Sequence, residues 1–303
     1  MNENKVLDML DEASGATYKN DVEEAIANLN DLSSIGTVEV ELPILQCRAV
    51  ISPIVGNDDL IQKTLKTTGY NFIKTFNELL LKNTKFEGID FESLEDFEKH
   101  LSASDKMIII HGLLDATYST LPEKLITCPH CKKQNPYTFT PSDMVHEDTY
   151  KKQWSHDEDF TEYRATKTII DGFDIVYKMG TEDQKLKLLK NKSTQQLKDD
   201  LQDVGGLLNN LELITLYIDK IIIGKGKNKK IYSDDKKIID IINGMAADLK
   251  TKVIEDQTIN EFLEYAPNYY LNVFCKDISC SKEFNWYDID PETDFFRKSV
   301  SIY

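Results

Sequence analysis

The chain has 303 residues, with 52 acidic against 36 basic side chains and a formal net charge of −16. That length accommodates two or three modules with real cores, and the negative charge repels phosphate backbones, which argues against a general nucleic-acid binder. No apolar run reaches the ~18 residues that a membrane span needs. Met1-Asn2-Glu3-Asn4-Lys5 lacks the basic start and apolar stretch of a secretion signal, so an intracellular, reducing setting is expected.

Residues 1–36 are acidic and place Val6, Leu7, Leu10, Val22, Ala25, Ile26 and Leu29 at helical spacing. They read as an N-terminal helical arm of two short amphipathic helices that orders on a partner. Residues 37–42 alternate like a strand, Pro43 interrupts, and 46–51 resume extended character, with Cys47 expected as a buried structural residue. A helix capped by Asn57 or Asp58 follows, its apolar face running from Leu60 to Leu80, with Gly69 placed to interrupt it. Helices over 94–101 and 105–117, the latter capped by Ser104, complete a strand and helix domain over 37–120. His111 lies on the apolar face of the last helix and reads as a core or boundary histidine rather than a ligand.

Two short cysteine pairs carry the chemistry: Cys128-Pro129-His130-Cys131 and Cys275-Lys276-Asp277-Ile278-Ser279-Cys280. A thiolate pair spaced by two to four residues can wrap a turn around one side of a metal, and Zn²⁺ takes four such ligands in a tetrahedron. Strand-like flanks surround both pairs, so 121–150 and 267–303 read as the two halves of one four-cysteine zinc ribbon, with Cys128, Cys131, Cys275 and Cys280 holding a structural Zn²⁺. Ordinary ribbons space their pairs by roughly 15–20 residues. Here 143 residues separate Cys131 from Cys275, so a whole subdomain over 151–266 is inserted. A disulfide framework is the weaker reading in a reducing setting, and four thiolates leave no open position for a catalytic metal. His130 reads as a solvent-facing turn residue.

Within the insertion, Asp171-Gly172 between the β-rich stretches 166–170 and 173–177 predicts a two-residue hairpin. From Thr181 the pattern turns helical. Ser193 with Gln196 fits a capping box for a long helix carrying apolar residues from Leu197 through Leu211 and Ile214 to Ile218 and Ile221. Another, capped near Ser233, runs from Ile238 to Val253, and a short one spans 259–265. Gly224-Lys225-Gly226-Lys227-Asn228-Lys229-Lys230 is the one basic cluster and reads as a solvated loop between helices. His156-Asp157-Glu158-Asp159 reads as a mobile linker, not a metal site. The fold class is α+β, predominantly helical, with a discontinuous four-cysteine zinc ribbon interrupted by a hairpin-plus-helices insertion. No nucleophile, base and orienting group can be assembled, and no glycine-rich nucleotide turn is present, so no enzymatic activity is expected.

The order Leu42-Pro43, then Arg48 entering a helix, then a helix ending Asp115-Ala116-Thr117-Tyr118, then Cys128-Pro129-His130-Cys131 with its aromatic strand, resembles the T4-type contractile-phage baseplate proteins associated with the hub. The hairpin over 166–178 followed by Gly180-Thr181-Glu182-Asp183 fits the same pattern, and the resemblance covers roughly 37–190. It implies a non-enzymatic structural or assembly role in a tail baseplate, with other phage tail or baseplate proteins as partners in a multi-protein assembly. Its implied locations are the host cytoplasm during assembly and the virion tail baseplate. The alternative class is a zinc-ribbon, nucleic-acid-associated transcription or replication accessory, in which the lysine loop and the aromatic strands would bind. That class needs a coherent basic face, and this chain offers one seven-residue loop.

Overall fold

Alternating Val38, Val40 and Leu42 pair across a tight turn with Ile51, Ala49 and Cys47, making strands β1 (Val38–Leu42) and β2 (Cys47–Ile51) of an antiparallel sheet that β3 (Thr84–Phe86) completes in the order β1-β2-β3. The computed structural model describes residues 36–54, 59–145, 152–190, 192, 208 and 210–302. The expected arm at 1–35, the Asn57 or Asp58 cap, and the Ser193–Gln196 box with the start of its helix lie outside the described residues. Arg48, expected to enter a helix, sits on β2 and pairs with Glu41 across the strand. Cys47 is half-buried rather than buried, because it stands at the first position of that strand.

Helices α1 (Asp59–Leu65) and α2 (Gly69–Asn83) are separated at Gly69, whose φ of +59° only glycine adopts readily. Next come α3 (Leu94–His100), capped by Ser93, and α4 (Ala103–Thr117), whose cap is Ser102 rather than Ser104: the Ser102 hydroxyl accepts the N–H of Asp105 at 3.0 Å. Ser104 is buried inside the first turn instead. Apolar on almost every side, α4 runs through the centre of the first core against β1 and β2. At Gly112 an added Cβ would stand 2.3 Å from Ile51 Cδ1, so glycine is what lets helix and sheet approach this closely.

Hairpins β4–β5 (Lys124–Thr127, Gln134–Tyr137) and β10–β11 (Leu271–Phe274, Glu283–Trp286) lie on the rim of this core, each a two-stranded antiparallel ribbon. The closing helix α10 (Pro291–Ile302), which the sequence patterns did not single out, packs on α4 through fully buried Phe295, and Tyr118 Oη bonds Ser299 Oγ at 2.8 Å.

The second core is built on a four-stranded antiparallel sheet, β6-β7-β8-β9 (Ala165–Ile170, Phe173–Tyr177, Ile218–Ile223, Lys230–Tyr232). The Asp171-Gly172 turn forms as expected, with Gly172 at φ +81°. Following β7 in sequence, α5 (Glu182–Lys190) packs on α2 and α3, whereas α6 (Asn210–Thr215), α7 (Asp235–Asn243), α8 (Ala247–Ile254) and α9 (Gln257–Leu263) surround the sheet. Two expectations fail here. Ile218 and Ile221 belong to strand β8, not to a continuing helix, and the lysine loop therefore joins two strands instead of two helices. The helix expected from Ile238 to Val253 is two helices, α7 and α8, broken after Gly244.

The His156–Asp159 stretch is a folded strap rather than a mobile linker. Buried Trp154 anchors it, donating its indole N–H to Glu158 O at 3.0 Å, and His156 stacks on Tyr163 with ring centres 4.0 Å apart. The chain is thus a mixed helix-and-strand fold, with one core drawn from 42–144 and 269–295, another from 154–265 joined by Ile44, and a smaller cluster of Ile73, Leu186, Leu188, Leu189 and Leu208. Among the described residues, no helix is long and apolar enough to cross a membrane.

Candidate metal centre

Each cysteine pair sits on the turn of its hairpin, and the two turns are built alike. In the first, Cys128 N–H donates to Lys133 O and Lys132 N–H to Cys128 O, both at 2.9 Å, with Lys132 at φ +64°. In the second, Cys275 N–H donates to Lys282 O and Ser281 N–H to Asp277 O, again at 2.9 Å, with Ser281 at φ +43°. The residue after the second cysteine of each pair thus adopts the left-handed conformation that reverses the chain and turns both thiols to one side. The longer second turn spends its extra residues on a local cap: Asp277 accepts the N–H of Ser279 at 2.9 Å.

The fold brings the two turns face to face across 143 residues of chain. Cys128 Sγ lies 3.8 Å from Cys280 Sγ, Cys131 Sγ lies 3.5 Å from Cys275 Sγ, and all four sulfurs fall within 4.8 Å of one another. A tetrahedron with Zn–S bonds of about 2.3 Å has edges of about 3.8 Å. The sulfurs are free and too far apart for S–S bonds of about 2.05 Å. These four close cysteines could hold one metal ion.

Electrostatics point the same way. Burial pushes the Cys275 thiol up to about 12. At Cys128 burial also opposes ionisation, yet backbone N–H donation from Cys131 and His130, with S–H donation from the Cys131 and Cys275 thiols, outweighs it and brings the group down to about 7. Four negative sulfurs at this spacing would need a cation among them.

Contacts around the sulfurs lock the halves together. Lys133 of the first turn pairs with Asp277 of the second, and holds that carboxyl at about 2. Lys276 donates to Pro136 O, and its ammonium lies 4.7 Å from the centre of the Tyr137 ring. Lys124 on β4 forms an ion pair at 2.7 Å with fully buried Asp294 of α10, and lies over the Trp286 ring of β11 at 5.1 Å. No family model, curated protein or solved structure matches this chain.

All four cysteines singled out in the sequence converge, and the fifth, Cys47, stands apart with its thiol pushed up to about 11 by burial. His130 is exposed on the first turn and His111 is buried on α4, its Nε2 2.9 Å from Pro141 O and its ring stacked on Tyr269. Sequence reasoning passed over Asn135, which is buried between the two turns. No local pattern marks it, because its partners Lys276 and Cys275 lie on the other hairpin.

Proposed function

We propose that this protein is a non-enzymatic structural or assembly component of a contractile phage tail baseplate, held together by one structural Zn²⁺ on Cys128, Cys131, Cys275 and Cys280 in a discontinuous zinc ribbon. The observation that carries the metal reading is the near-tetrahedral spacing of four sulfurs from two distant chain segments. Zinc is favoured over other ions because an all-thiolate tetrahedral set suits it and its closed shell suits a structural role. The baseplate reading rests on the motif order around Leu42-Pro43 and the Cys-Pro-His-Cys turn. In that role the metal fastens the two ends of the inserted segment. Closing a loop of more than a hundred residues is worth about 4–5 kcal/mol in the chain-entropy model.

Elemental analysis of protein purified without added metal should return one zinc per chain; no stoichiometric metal would refute the centre. Affinity isolation from the native source should recover tail proteins, and deletion of residues 1–35 should abolish that recovery while leaving the zinc content intact. Recovery of DNA or RNA with salt-sensitive affinity would instead favour the nucleic-acid-associated class.

A further inference from the structure

The two cysteine turns match in their hydrogen bonding, but not in the side chains that follow. Counting from the carbonyl that closes each turn, Lys133 O in one and Lys282 O in the other, the second residue onward is Asn135 in the first hairpin and Phe284 in the second. Both reach across. Phe284 meets the edge of His130 with ring centres 6.4 Å apart, whereas Asn135 enters the opposite turn with a polar group. Only 3% of Asn135 is exposed, so its amide must be satisfied there.

Its orientation is fixed by chemistry. The N–H of Lys276 can only donate, and it lies 2.8 Å from Oδ1; the carbonyl of Lys133 can only accept, and it lies 3.0 Å from Nδ2. That leaves one amide proton, and the remaining atom within reach of Nδ2 is Cys275 Sγ at 3.8 Å. A protonated Cys275 can return a bond to Oδ1 at 3.9 Å, but a thiolate can only accept. The second amide N–H is therefore placed for N–H···S donation.

We propose that Asn135 is the positioning residue of the metal centre: it fastens the second turn to the first before metal arrives, and it donates a hydrogen bond to the Cys275 thiolate. This rests on the proposed function only in taking the four sulfurs as a metal site. Partners of this kind orient ligands and tune their basicity, and losing one lowers metal affinity about 10–100-fold.

The test uses the full chain titrated with Co²⁺, then with Zn²⁺ in competition with a chelator. Asn135→Ala should weaken Zn²⁺ binding within that range and move the thiolate-to-cobalt charge-transfer band to longer wavelength, because an undonated thiolate is a better electron donor. Asn135→Asp is isosteric, keeps the acceptor for Lys276 N–H, and puts a negative oxygen beside the thiolates. It should bind more weakly than the alanine variant if the amide serves the sulfur. If Asn135 served only to hold the Lys276 backbone, Asp would rescue what Ala loses, and that result would overturn the assignment. A wild-type cobalt spectrum that neither variant alters would overturn it as well. A wild type with no thiolate–cobalt band at all would overturn the metal reading itself, and this assignment with it.

Discussion

Lys106 Nζ lies 2.7 Å from Glu182 Oε2, both side chains only 4% exposed, and this pair fastens the central helix α4 of the first core to the first turn of α5. Beside it, the backbone of Ser102 bridges that of Thr181, and Glu182 N–H donates to Leu101 O at 3.0 Å. The two charged side chains are thus buried at a polar junction, where a charge left alone is costly.

Truncating one partner should therefore cost more than replacing both. Glu182 also serves Lys185 at 3.7 Å, which has Glu292 and Asp290 nearby as well, so Glu182→Leu strands chiefly the Lys106 ammonium and should cost about 3–5 kcal/mol in urea unfolding. Lys106→Met leaves Lys185 to compensate and should cost less; the double variant should recover much of the loss. Additive losses would show that the pair is not coupled. Burial pushes the Glu182 carboxyl up, but Lys106 and Lys185 outweigh it and hold the group below its ordinary value. Its contribution is therefore complete above about pH 4.3 and is lost as pH falls through its depressed folded value.

Asp105 gives the opposite slope. Wholly buried beneath the β1–β2 turn, it accepts the N–H groups of Ile44 and Leu45 at 3.1 Å each, and burial, only partly offset by those bonds, raises it to about 7. Between about pH 4 and pH 7 the folded chain holds a proton there that the unfolded chain has released. This group's contribution then grows as pH falls through that window, by about 1.4 kcal/mol per pH unit at most. Asp105→Asn should flatten that part of the stability profile. An unchanged slope between pH 5 and 7 would place the titration elsewhere.

Metal removal should be felt at both hairpins together. Stripping with a chelator, or Cys128→Ser, leaves the buried Cys275 thiol crowded by uncompensated neighbours and frees the ends of the inserted segment. Amide exchange should accelerate in β4–β5 and β10–β11 in parallel, while the β6–β9 sheet, which has its own apolar core, changes least. Faster exchange confined to the hairpin carrying the substitution would argue against a shared ion.

What the sequence disclosed was local chemistry. Two cysteine pairs, an Asp-Gly turn and a breaking glycine at position 69 each announce themselves within a few residues, and the structure places all of them as their types require. Strand β8 was hidden by a bulge. Tyr177 pairs with Ile218 while Val176 pairs with Lys220, so Asp219 is an extra residue that breaks the period-two alternation and leaves Ile218 and Ile221 three apart, as on a helix. Asn135 was invisible for a different reason: its partners, Lys276 and Cys275, lie 140 residues or more away, and nothing near it in sequence signals a buried amide.

Gly112 offers a test of how tightly α4 is laid on the sheet. The nearest obstacle to a new methyl group is Ile51 Cδ1 at 2.3 Å, followed by Val40 Cγ1 at 3.3 Å, and Ile51 is fully buried, so its terminal carbon has little free space to enter. Alanine would ordinarily gain roughly 1 kcal/mol over glycine within a helix, whereas overpacking of this kind costs about 1–3 kcal/mol. Gly112→Ala should therefore be neutral to destabilising. Ile51→Val removes the obstructing Cδ1 carbon and alone costs about 0.5–1.5 kcal/mol. Combined, the methyl group added at 112 fills the space vacated at 51, and the double variant should be more stable than the sum of the singles predicts. Strict additivity in thermal or urea unfolding would mean that the helix shifts as a body instead, and that Ile51 does not set the distance between α4 and the sheet.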